Sequence, residues 1–103
     1  MTGYISQALI LTNKDFNLEI SLKEVSTAKD FEQVLANLIQ HLLDNDLERL
    51  INCLYRIDVS EEQVKLAMTG NNVAEQIALL IIEREMQKVI TREKYKPMTK
   101  HLK

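Results

Sequence analysis

Two glycines, one proline, one cysteine and no tryptophan occur in this 103-residue chain, and aromatics make up 5% of it. Each scarcity excludes something. With so little Gly and Pro the chain has few obligatory turns and little loop, which argues for helices. Gly3 and Gly70 stand alone, so no Gly-rich loop is available to cradle a phosphate or a dinucleotide cofactor. Cys53 has no partner for an internal disulfide, which points to a reducing compartment, the cytoplasm by default. No run approaches the roughly 20 apolar residues of a membrane span. The opening "MTGYISQALILTNKDF" lacks the basic residues that precede a secretory signal core and a small-residue cleavage site.

What is present is an ordinary globular composition, 46% hydrophobic. A chain of this length reads as one domain, and it buries only about two-thirds of its unfolded surface, which leaves little room for a deep catalytic cavity. The net charge of −2 implies no partner, but its distribution is uneven. Five of the 13 basic residues and one of the 15 acidic ones lie from Arg92 onward, so that segment carries +4 and the first 91 residues carry −6. Such a tail can meet an acidic partner or nucleic acid, although a solvated, frayed terminus explains it as well.

Along the chain, "FNLEISL" alternates strictly, with Phe16, Leu18, Ile20 and Leu22 against Asn17, Glu19 and Ser21. With "ALIL" upstream and "TNKD" as a turn, this period of two predicts a short β-hairpin. A first helix or a disordered arm competes with it over residues 1–25. From Ser26 the period changes. Phe31, Val34, Leu35, Leu38, Ile39, Leu42 and Leu43 form a helical stripe that Ser26 or Thr27 can cap. "DND" separates it from a second stripe, Leu47, Leu50, Ile51, Leu54 and Ile57. Asp58 with Glu61 and Ser60 with Gln63 are spaced as overlapping capping boxes for a short helix burying Val64, Ala67 and Met68. "TGNN" breaks that helix, with Gly70 suited to a left-handed end. The last helix, Val73 to Tyr95, is apolar nearly all round at "IALLIIE" and should stop before Pro97.

The stretch "LYRIDVSEE" (Leu54–Glu62), followed by "IALLIIEREMQKVITREKY" (Ile77–Tyr95), resembles a family of small, uncharacterised all-helical proteins from Bacteroidetes-type bacteria. The similarity runs from about Phe31 to Tyr95, and "LYRIDVSE" and "LIIERE.QK..TRE" are its most specific parts. The resemblance implies a small cytoplasmic helical domain. It carries no activity and no site residues.

The candidate sites are few. Arg56, Asp58 and Arg84, with Tyr55 beside them and Glu83 and Glu85 near, can bind an anion or shift a pKa for acid–base work. The plainer account is a cap on the short helix and an arginine clamp at a helix joint. His41, Asp44, Asp46 and Cys53 fall short of the paired Cys and His ligands of a zinc site. His41 as base to Cys53 is weak as well, because a cysteine beside Leu50 and Leu54 reads as a small core residue. Tyr55 and Tyr95 with neighbouring cations can stack on single strands, but two aromatics on an acidic body make nucleic acid a poor partner. Met68, Met86 and Met98 read as gap fillers.

The expectation is therefore an all-α bundle of about four helices over residues 26–96, after an N-terminal arm (1–25) and before a basic tail (97–103). No cofactor, metal or membrane is expected. A non-enzymatic interaction module fits best, a homo-oligomer with a dimer favoured, paired through Ile77, Leu79, Leu80 and Ile82 of the last helix. A small ligand-binding protein or enzyme built on Arg56, Asp58 and Arg84 is the alternative, and nucleic-acid association through the tail a further one.

Overall fold

The computed structural model describes residues 3–21, 23 and 25–101, with side chains as far as Lys94. Among these residues there are five helices and no strand: α1 (Gly3–Phe16), α2 (Ala28–Asn45), α3 (Leu47–Ile57), α4 (Glu61–Thr69) and α5 (Val73–His101). The fold is all-α, with one helix more than the four expected.

The extra helix is α1, where a hairpin was expected. Its end is a Schellman motif: Leu18 N donates to Asn13 O at 2.7 Å, Asn17 N donates to Lys14 O at 3.3 Å, and Asn17 takes a left-handed φ of 56°. Beyond it the alternation is real as burial. Phe16 is buried and Leu18 and Ile20 are half-buried, while Asn17, Glu19 and Ser21 are exposed. No strand pairs with this segment. The Asn13 carboxamide bonds both backbone groups of Ile20 instead, Nδ2 to O at 3.0 Å and N to Oδ1 at 3.1 Å. One side chain thus does for Ile20 what a neighbouring strand would. Leu22, the last apolar member of the alternation, lies outside the described residues.

Side-chain caps set the other joints. Thr27 and Asp30 close a capping box at the start of α2, with Asp30 N to Thr27 Oγ1 at 3.1 Å and Thr27 N to Asp30 Oδ2 at 3.2 Å. Asp46 alone separates α2 from α3. Its N–H donates to Leu42 O, closing one helix, and its carboxylate accepts from Arg49 N, opening the next. Ser60 caps α4 by accepting from Gln63 N. Asp58 does not cap that helix. It ends α3 in the left-handed region (φ 67°, ψ 50°), where Asp58 N and Val59 N both donate to Leu54 O. Gly70 is extended, at φ −99°, and the left-handed residue before α5 is Asn72. Pro97 does not stop α5, which runs to His101; the bond forfeited is the one to the carbonyl of Glu93, close to the helix end, where water can replace it.

α5 is the axis of the bundle. It packs most against α2 and α1 and also touches α4 and α3. Its buried stripe is Ala74, Ile77, Ala78, Ile81, Glu85 and Val89, a three- and four-residue rhythm that alanines and a glutamate disguise in the sequence. Against it lie Phe31, Leu35, Ile39 and Leu42 of α2, Leu50, Leu54 and Ile57 of α3, and Ala8, Leu9 and Phe16 of α1. The second neighbour that the apolar faces of α5 demand is thus α1 of the same chain.

Because Leu9 is fully buried, Leu9→Ala should cost about 2–5 kcal/mol in urea-denaturation stability. Leu66→Ala, at an exposed position, should stay within about 0.5 kcal/mol.

Candidate functional site

Three places hold the residues that carry chemistry: the joint between α3 and α4, the end of α1 against α3, and a polar layer between α1 and α5.

At the joint, Arg84 reaches across from α5. Its Nε donates to Asp58 O at 3.1 Å and an Nη contacts Asp58 Oδ2 at 3.4 Å. The Asp58 side chain is 85% exposed, and an ion pair in water contributes only about 0–1 kcal/mol. Arg84 mainly holds the left-handed turn at its carbonyl. Asp58 and Arg84 therefore meet as expected, but Arg56 does not join them. It points to α1, donating from Nη1 to Asp15 O at 3.0 Å, while Arg49 Nη2 donates to Phe16 O at 3.0 Å. Two guanidinium groups thus terminate the last carbonyls of α1, where the helix dipole favours positive charge. That contact accounts for Arg56, the residue least explained by the sequence.

Cys53 lies between these arginines on α3, buried, with Sγ 3.9 Å from Asp15 O. Burial pushes its thiol above the ordinary 9.0, and Arg49 and Arg56 offset this only in part. A buried thiol held in its neutral form is a poor nucleophile. His41 is exposed and contacts Asn45 Nδ2 at 3.2 Å, and Asp44 accepts from Gln40. Among the described residues no three His, Cys, Asp or Glu side chains are grouped to hold a metal ion. An open polar cleft of about 760 Å³ borders the α1–α3 contact, with Lys14, Arg49 and Arg56 facing Asp15, Asp46 and Glu48 across it. Its charges balance, so it favours neither anion nor cation.

The polar layer was not anticipated. Glu85 is 0% exposed, at the point in the buried stripe of α5 where an apolar residue belongs. Thr12 of α1, also buried, donates to Ala8 O at 2.8 Å and stands 3.5 Å from Glu85 Oε2. Lys88 Nζ lies 3.3 Å from Glu85 Oε1 and 4.0 Å from Asp15 Oδ2, ion-pair distances off hydrogen-bonding geometry. Glu85 Oε1 and Asp15 Oδ2 are consequently buried oxygens with no donor. Burial, then the hydrogen bond and charge of Asp15, push Glu85 up from an ordinary 4.5 to about 7, against the pull of Lys88.

A signal for this layer was present in the sequence. Thr12 and Asp15 recur with Ala8, Leu9 and Phe16 at helical spacing, and Glu85 sits midway between Ile81 and Val89. A hairpin over residues 8–22 leaves no helix to supply the partners that give Glu85 its meaning.

Of the residues expected at an interface, α5 carries all four. Ile77 is fully buried in the chain's own core, and Leu79, Leu80 and Ile82 are half-buried. Large apolar side chains are exposed on α1 (Tyr4 and Ile10), on α5 (Ile90) and in greatest number on α3 and α4, where Leu66 is 73%, Tyr55 71%, Ile51 43% and Met68 43% exposed. Met68, expected in the core, lines with Ile51, Leu54, Tyr55, Val59 and Val64 a groove of about 180 Å³ whose rim carries Glu61 and Lys65. Tyr95, Met98 and the tail lie outside the described side chains.

Compared with known proteins, the chain matches no protein-family model, no curated protein and no solved structure. No helix of the described residues is long and apolar enough to cross a membrane.

The sign of the Glu85 effect is definite. Between pH 4.5 and about 7 the folded chain holds a proton that the unfolded chain has released, so stability falls as pH rises through that window. At about 1.4 kcal/mol per unit the loss is on the order of 2–3 kcal/mol. Denaturant titrations should show this fall in the wild type. Glu85→Gln should flatten it and be the more stable chain at pH 8.

Proposed function

We propose that the chain is a non-enzymatic interaction module that pairs with a second copy of itself through the groove between α3 and α4. The observation that carries this reading is the groove's composition. Its walls are apolar, and Ile51, Tyr55 and Met68 are left uncovered by the chain's own helices. A catalytic pocket of similar size would aim several polar groups at one point, whereas here the two charged residues stand on the rim.

A second copy suits this groove for a reason of symmetry. A two-fold interface is self-complementary, so a patch must supply both partners of each contact. Glu61 and Lys65 lie one helical turn apart along one rim. An antiparallel pair of α4 helices sets Glu61 of each copy against Lys65 of the other, and the aromatic ring of Tyr55 fills the apolar centre. Tyrosine anchors of this kind carry a large share of interface energy.

Sedimentation velocity from about 1 to 100 μM tests the proposal. Wild type should shift from monomer to dimer as concentration rises. Ile51→Asp and Tyr55→Glu should each weaken the dimer at least about tenfold while leaving the circular dichroism spectrum intact. Glu61→Lys should weaken it, and Glu61→Lys with Lys65→Glu should restore it. A wild type that stays monomeric, or a dimer indifferent to all four substitutions, contradicts the reading.

A further inference from the structure

We propose that a proton held on Glu85 beside Asp15 at the α1–α5 contact latches α1 to the bundle, its loss releasing α1 while α2–α5 stay folded. Asp15 Oδ2 and Glu85 Oε1 are both buried without a well-formed hydrogen bond, and both flank the one Lys88 ammonium. Two ionised carboxylates offer only acceptors to each other. One proton on Glu85, donated to Asp15, supplies the missing donor. With Lys88 as the single ammonium, 3.3 and 4.0 Å from the two carboxyls, the singly protonated cluster is neutral and the deprotonated cluster carries an uncompensated negative charge out of water.

Among the described residues no other group is placed to take up that charge. From α1, Glu85 faces Asp15 and the Thr12 hydroxyl, which also donates to Ala8 O. On its own helix it faces Lys88. On α3, Arg49 and Arg56 are directed to the Phe16 and Asp15 carbonyls and Cys53 to Asp15 O. The buried residues of α2 are all apolar, and α4 has none buried.

Separation of α1 is the least costly relief. It is a single helix of 14 residues joined to α2 through residues 17–27, and such local units open below the global unfolding free energy. The α2–α5 contacts of Phe31, Leu35, Ile39, Ile57 and Ile81 do not pass through it. Loss of the proton thus becomes movement of one helix, uncovering the face of α5 beneath it.

Hydrogen exchange read by mass spectrometry on the full chain at pH 6 and pH 8, corrected for the intrinsic rate, tests the latch. One linked proton predicts that opening of residues 3–16 rises about tenfold between the two conditions, and that at both pH values these residues open at a lower free energy than α2 and the 77–89 segment of α5. Glu85→Gln, a neutral amide that can still donate to Asp15, should abolish the rise. The ¹³C carboxyl resonance of Glu85 in the wild type, which needs no variant, should titrate in step with α1 opening. Equal α1 opening at both pH values, an undiminished rise in Glu85→Gln, a Glu85 resonance that titrates out of step, or α1 amides that open only at the same free energy as those of α2 and α5 would overturn the proposal.

Discussion

A helix that is apolar on several faces must be wrapped, and the wrapping of α5 decides the rest of this structure. Ile77, Ala78 and Ile81 are completely buried and Leu79, Leu80 and Ile82 partly so. Full burial of a Leu- or Ile-sized side chain contributes about 1.5–3 kcal/mol, and this one segment concentrates several of them. The chain supplies the cover itself, α2 and α1 doing most of it and α3 and α4 the remainder. The short α3 and α4 exist only at this expense of polar capping, with Asp46, Asp58 and Ser60 each turning the chain within a residue or two.

Glu85 interrupts that apolar surface, and the interruption has structure. A buried carboxyl lacking partners costs about 1–3 kcal/mol or more, so a glutamate in a core stripe demands compensation. Thr12, Asp15 and Lys88 are arranged around it, two of them from α1. The same helix that completes the core therefore brings a buried ionisable cluster with it, and the end of that helix is held by Arg49 and Arg56. Packing and charge at the α1 interface cannot be altered separately.

The sequence made α2 and α3 legible because their apolar residues recur at three and four positions, and α5 by the length of its apolar run, although alanines and Glu85 disguise its buried stripe. α1 was obscured by a competing period. Phe16, Leu18 and Ile20 alternate as a strand does because the chain leaves the helix extended, and the Asn13 carboxamide there supplies strand-like bonds to a single residue. Missing α1 had consequences at a distance. Without it, the faces of α5 called for a second subunit, and Arg56 and Glu85 had no partners. The pair Asp58–Arg84 was legible from side-chain type, whereas the left-handed turn it braces depends on backbone geometry that residue identity does not prescribe. The α3–α4 groove was hidden for a third reason: Ile51 and Met68 are ordinary members of helical stripes, and only the packing of the chain shows that they and Tyr55 stay exposed around one groove.

The central claim is that α5 is covered by its own chain, whatever else the α3–α4 face binds. Native-state hydrogen exchange of the Ile77–Val89 amides across a wide dilution series tests it most directly. The account predicts that these amides exchange only through global opening and that their protection is unchanged at concentrations far below any association. Protection that falls as the protein is diluted would mean that another subunit provides the cover, and would contradict it.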